Sequence, residues 1–161
     1  MAEAAHSSNR RAFLRGRSSR DGCQVRLPWL ATRRFEDDCT RCGACLSACP
    51  ENIIAPVSGG FPSVDFSKGE CTFCGACADA CPEKLFDRGR AQAWQFNAVI
   101  SDACLAKRQI MCRSCEDACA DRAIAFTPVA GRFPSPDIRT DRCTGCGACV
   151  SVCPENAIAI Q

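Results

Sequence analysis

The sequence predicts an α+β chain of two tandem units, each built on an internal repeat, with a basic N-terminal arm. Three observations predict it. Of 17 cysteines in 161 residues, sixteen fall into four runs starting at positions 39, 71, 104 and 143. The runs are 32, 33 and 39 residues apart, a period that marks duplication. Leu, Ile, Val and Phe together supply only 30 residues, too few for an ordinary apolar core. A net charge of +2 does not support the alternative of a charged, disordered chain. Something other than aliphatic packing must hold the chain together.

The expected organisation is an arm at 1–34, a first unit at 35–90 and a second at 91–161. The arm carries eight arginines against Glu3 and Asp21, a balance of +6, whereas the remainder carries −4. Arg10, Arg11, Ala12, Phe13 and Leu14 have the look of a twin-arginine export element. The apolar stretch of such a signal is missing, because RGRSSRDGCQVR follows Leu14. The expectation is therefore an uncleaved arm on a cytoplasmic protein. Cys23 stands outside the runs and is expected to be an ordinary free thiol. Pro28, Trp29 and Leu30 form the arm's apolar knot, with Trp29 packed on the first unit.

The first run is CTRCGACLSACP, with Cys39, Cys42, Cys45 and Cys49. The second, CTFCGACADACP, holds Cys71, Cys74, Cys77 and Cys81; the fourth, CTGCGACVSVCP, holds Cys143, Cys146, Cys149 and Cys153. All three read C-x2-C-x2-C-x3-C-P, the pattern of bacterial [4Fe–4S] ferredoxins. The third departs from it. Seven residues separate Cys104 from Cys112, then Cys115 and Cys119 follow at the usual spacing, and Ala120 replaces the proline. It is still expected to be a cluster site, with a longer loop delivering Cys104. Arg113, Glu116 and Asp117 put charge beside it.

The spacing has a chemical logic. Two-residue gaps form tight turns that wrap three thiolates around one cluster. The small pairs Gly43-Ala44, Gly75-Ala76 and Gly147-Ala148 allow backbone N–H groups to approach sulfur. The x3 gap stacks the third and fourth cysteines at i and i+4, so that they can face different clusters. Pairing neighbouring runs gives four expected ligand sets, with pairings across the halves as the alternative that needs longer connections: Cys39, Cys42, Cys45 and Cys81; Cys71, Cys74, Cys77 and Cys49; Cys104, Cys112, Cys115 and Cys153; Cys143, Cys146, Cys149 and Cys119. The cofactors expected are four [4Fe–4S] clusters, and the units two ferredoxin-like domains. Between the runs, 53–66 and 123–138 read as hairpins turning at Gly59-Gly60 and near Ala130-Gly131. Residues 93–100 read as an entering strand and AIAIQ as a closing one.

Other chemistries fit less well. A disulfide scaffold does not call for near-identical runs ending in Cys-Pro. Structural zinc usually takes two separated C-x2-C pairs. His6 is the sole histidine, which excludes a Rieske centre and leaves a Ser-His-Asp apparatus nothing but a tail residue. No stretch of 18 apolar residues is present. No catalytic residue is expected, and the chain is not read as an enzyme.

RRAFLRGR, RLPW, CTRCGACLSACPENII, GGFPSVDF, CTFCGACADACPEKLF and DACLAKRQIMCRSCEDACADRAIAF together resemble the NapF family. These are ferredoxin-type accessory proteins of periplasmic nitrate reductase operons. The resemblance runs through nearly the whole chain, and the irregular third run is its most specific part. It implies a cytoplasmic multi-cluster protein that meets the precursor of the catalytic subunit of that reductase before export and assists its maturation. It implies a protein partner, with no nucleic acid and no transmembrane segment. A general electron carrier or relay subunit of an oxidoreductase complex is the alternative. Analysis of anaerobically purified protein should return about sixteen irons per chain, whereas about twelve would point to a failed third run.

Overall fold

A computed structural model describes residues 26–31 and 35–161. The twin-arginine element, His6 and Cys23 lie outside the described residues. The helices are single turns and the strands are short, as a chain bent repeatedly around cysteine runs requires. In order they are α1 (Phe35–Asp38), α2 (Ala44–Ser47), β1 (Ile54–Pro56), β2 (Pro62–Val64), α3 (Ala76–Asp79) and β3 (Ala98–Ile100). Then come α4 (Ser114–Asp117), β4 (Ile124–Val129), β5 (Arg132–Ile138), α5 (Ala148–Ser151) and β6 (Ile158–Ile160).

Each regular run makes the same local structure. A glycine in the left-handed region, Gly43, Gly75 or Gly147, ends the tight turn and starts α2, α3 or α5. Three residues past the fourth cysteine of all four runs, Asn52, Lys84, Arg122 and Asn156 also take positive φ. The N–H of each donates to the carbonyl of that cysteine, at 3.0–3.3 Å. The chain is thereby turned out of each run and into a strand or bridge.

Those exits build the hairpins. In the first unit β1 pairs antiparallel with β2, Ile54 opposite Val64, across a 3-10 turn at Ser58–Gly60. In the second, β4 pairs with β5, Ile124 opposite Ile138, and Gly131 takes positive φ at the bend. The entering and closing strands of the second unit meet as β3 and β6, Ala98 opposite Ile160. The first unit has a smaller counterpart. Leu30 bridges antiparallel to Phe86, Ala31 N–H donates to Leu85 O at 2.9 Å, and Asp87 N–H donates to Trp29 O at 2.8 Å. Leu27 is buried beside them. The last residues of the segment expected as an arm are therefore built into the first unit, and the charged stretch 83–90 holds them. Arg90 donates to Leu30 O and Ala31 O, and Arg88, paired with Asp79 at 2.8 Å, lies over the Trp29 ring.

The core is a mixture of aliphatic and sulfur-bearing side chains. Ile53, Ile54, Val64, Phe66, Ile124, Ile158 and Ile160 are buried together with Cys77, Cys115 and Cys149. Helix α2 lies against α3, and α4 against α5, so each pair of runs is packed back to back. Among the described residues, no helix is long and apolar enough to cross a membrane.

Gly147 sits where a Cβ would run into the Phe66 ring, and its φ is +84°. Gly43 has a similar φ, but a Cβ there meets nothing within 4 Å. Gly147→Ala should therefore destabilise the cluster-loaded protein by about 3 kcal/mol, combining left-handed strain with overpacking. Gly43→Ala should show only the backbone cost of about 1–2 kcal/mol. Comparing the urea midpoints for loss of the cluster absorbance checks the difference.

Candidate metal centres

The structure sorts the cysteines by cavity rather than by run. Cys39, Cys42 and Cys45 of the first run share a cavity of about 120 Å³ with Cys81 of the second. Cys71, Cys74 and Cys77 share another with Cys49 of the first run. In the second unit, Cys143, Cys146 and Cys149 line a cavity with Cys119 of the third run. Each group of four coincides with one of the sets expected from spacing. Cys45 and Cys49 leave neighbouring turns of the chain and enter different cavities, as do Cys77 and Cys81. None of the sixteen run cysteines is joined in a disulfide.

The third run is built differently. Residue 113 occupies the place of the glycine, and Arg113 has φ −137°, not the left-handed turn of Gly43, Gly75 and Gly147. The residues just before Cys42, Cys74 and Cys146, namely Arg41, Phe73 and Gly145, take positive φ; in the third run the positive value falls instead on Gln109, inside the insertion. Seven residues do by a wider loop what two do by a strained turn elsewhere. Two contacts fix that loop: Lys107 Nζ donates to Ile100 O at 2.7 Å, and Gln109 Oε1 accepts from Phe133 N–H at 3.1 Å. Cys104 and Cys112 lie close enough to Cys115 to raise its pKa. Cys153 follows α5, which lies against α4. The charged side chains expected near this site face outward: Arg113 pairs with Glu116 at 2.6 Å and lies over the Phe126 ring.

The donor set fits iron–sulfur clusters. Four cysteines line each of three cavities, as a four-iron cage held by four thiolates requires. The sites are partly buried, with Cys77, Cys115 and Cys149 buried and Cys42 and Cys74 exposed. Burial pushes the Cys45, Cys71 and Cys115 thiols up to about 11, with smaller contributions from neighbouring cysteines. Cys77 and Cys149 reach about 12 by the same causes. Such thiols hold their protons at neutral pH until a cationic core displaces them, so loading releases protons. Backbone N–H groups already point at sulfur: Ala98 at Cys143 (3.4 Å), Ala123 at Cys119 (3.2 Å) and Ala157 at Cys153 (3.3 Å). Hydrogen bonds of this kind stabilise thiolate charge and set cluster potential.

Comparison with known proteins agrees with this geometry. The 4Fe-4S dicluster domain family matches residues 38–85 and 110–157, one match per unit. The ferredoxin-type protein NapF of Escherichia coli (strain K12) is 43% identical over 96% of this chain and 94% of its own length. The chain belongs to the NapF family of ferredoxin-type proteins. NapF of Haemophilus influenzae is 44% identical, over 94% of this chain and 93% of its own. A more distant relative is a subunit of an ion-translocating oxidoreductase complex from Methanosarcina acetivorans. It is 32% identical over 88% of this chain and 54% of its own length. With two dicluster regions in a NapF-type chain, the protein carries four [4Fe–4S] clusters. The second family match begins at residue 110, past Cys104, so this cysteine is the one that generic motifs leave out.

Sequence reasoning missed the aromatic seam between the units. Trp94 touches the rings of Phe66, Phe73 and Phe96, and Phe73 touches Trp29. No periodicity signals it, because its members come from three separate segments of the chain. The ligand sets remain open to direct test at their least regular member. Cys104→Ser should lower iron from about sixteen to about twelve per chain if its thiolate serves a cluster, and leave it unchanged otherwise.

Proposed function

We propose that this chain is a cytoplasmic polyferredoxin that assists maturation of the catalytic subunit of a periplasmic nitrate reductase. It would meet the precursor of that subunit before export. The observation that carries the reading is the near end-to-end similarity to NapF proteins, including the second unit with its irregular run. The sixteen run cysteines would hold the clusters in the four sets defined by the cavities and, for Cys104, Cys112, Cys115 and Cys153, by spacing. Clusters of this type supply one-electron storage and transfer. The protein's own contribution is to exclude water with Ile53, Ile54, Ile124 and Ile158, to aim N–H groups at sulfur, and to join two units in one body. Four thiolates per cluster leave no open metal position for a substrate, which favours an accessory role over catalysis.

One observation favours a second reading. The similarity to a component of an ion-translocating oxidoreductase complex suits a relay that turns over with an enzyme. The two readings differ in stoichiometry and timing, since a maturation factor acts once per partner molecule and a relay acts at every turnover.

Anaerobic affinity capture of the tagged full-length chain tests the proposal. The reductase precursor, still carrying its leader, should co-purify from cytoplasmic extract, and a deletion strain should accumulate reductase deficient in its own iron–sulfur cluster. No capture, together with fully loaded and active reductase in the deletion strain, would sink the idea. Reduction and reoxidation of the chain at the rate of an enzyme's turnover would favour the relay.

A further inference from the structure

The two units are joined at a sulfur-rich seam. The N–H of Cys71 in the first unit donates to the carbonyl of Cys146 in the second at 2.8 Å. These two cysteines belong to different cavities, one shared with Cys49, Cys74 and Cys77, the other with Cys119, Cys143 and Cys149. The seam thus brings one inner site of each unit against the other. Within each unit the two runs meet where α2 packs against α3 and α4 against α5.

Two side chains, Trp94 and Phe66, span this seam. Trp94 lies in the segment that links the units. Its Nε1–H donates to Thr144 O, in the turn between Cys143 and Cys146, at 2.8 Å. Its ring meets Phe73, in the turn between Cys71 and Cys74, edge-on at 5.4 Å, and meets Phe66 at 6.0 Å. Phe66 in turn is buried against Gly147, the glycine that follows Cys146 and leaves no room for a Cβ. The ring and the N–H therefore grip both facing cysteine turns at once. Ring pairs of this geometry contribute beyond their buried area, and the half-buried indole keeps its N–H paired with Thr144 O.

We infer that Trp94 is the positioning residue that fixes the two units in register, so that the Cys71–Cys77 site and the Cys143–Cys149 site couple as one electronic system. The inference rests on these cysteines being ligands, and is independent of which partner the protein serves. Removing the indole leaves each unit's own hairpins and cavities in place while freeing one unit to move against the other.

The test uses the full-length, cluster-loaded protein and the Trp94→Ala and Trp94→Phe variants, compared by hydrogen exchange and by EPR of the fully reduced state. In Trp94→Ala, the peptide containing Cys71 should lose protection while β1–β2 and β3–β6 keep theirs. The spectrum should lose its inter-cluster interaction features in part, at undiminished iron content. Trp94→Phe retains a ring and lacks the donor, so it should fall between the two. If Trp94→Ala fails to load iron, Trp94→Phe decides on the same two readouts. Unchanged protection around Cys71 with an unchanged reduced spectrum, in a fully loaded variant, would overturn the inference.

Discussion

The step from the third to the fourth cysteine of each run is the constraint on which the rest depends. The third cysteine sits in a single-turn helix and the fourth just past its end, and the two thiols open into different cavities, as Cys45 and Cys49 do, and Cys77 and Cys81. A run on its own therefore cannot complete a site. Two runs must lie back to back, with α2 against α3 or α4 against α5, before any cavity contains four cysteines. Packing and ligation impose the same arrangement. The few large aliphatic residues pack around the cavities, and burial raises the Cys77 and Cys149 thiols well above the usual range.

The third run shows how much of the pattern is essential. It lacks the left-handed glycine, lacks the Cys-Pro ending, and reaches its second cysteine through seven residues. Even so, Arg122 takes the same positive φ as Asn52, Lys84 and Asn156, and Ala123 N–H still points at Cys119. The exit from the run is kept because it launches β4 and so the hairpin over the site. The entry is free to vary because a loop tied down by Lys107 and Gln109 can replace a tight turn. Variation is tolerated where the chain only has to arrive, not where it must start a strand in register.

Duplication of a two-run unit makes a second demand, that the copies be held together. The seam around Trp94, Phe66 and Phe73 meets it with aromatic rings and one indole hydrogen bond, in a protein otherwise poor in large apolar groups. The first unit is closed separately, by residues 27–31 against 85–90. This is the counterpart of β3 with β6, reduced to a bridge in place of a three-residue ladder.

What the sequence determined by itself was whatever is encoded in local spacing. The four runs, the i to i+4 spacing of their last two cysteines and the hairpins after the first and third runs follow from distances of a few residues along the chain. The irregularity of the third run was legible too, though not that its charges, Arg113 and Glu116, satisfy each other at the surface. Tertiary structure alone decided the seam, the inclusion of Leu27 and Leu30 in the first unit, and which inner sites face one another. Those contacts join Trp94 to Thr144, Leu30 to Phe86 and Cys71 to Cys146. Their separations follow no repeat, and a single-unit period says nothing about how two units meet. Spacing fixes a unit because its geometry is local; the meeting of units is settled by which aromatic surfaces remain to be buried once each unit has closed.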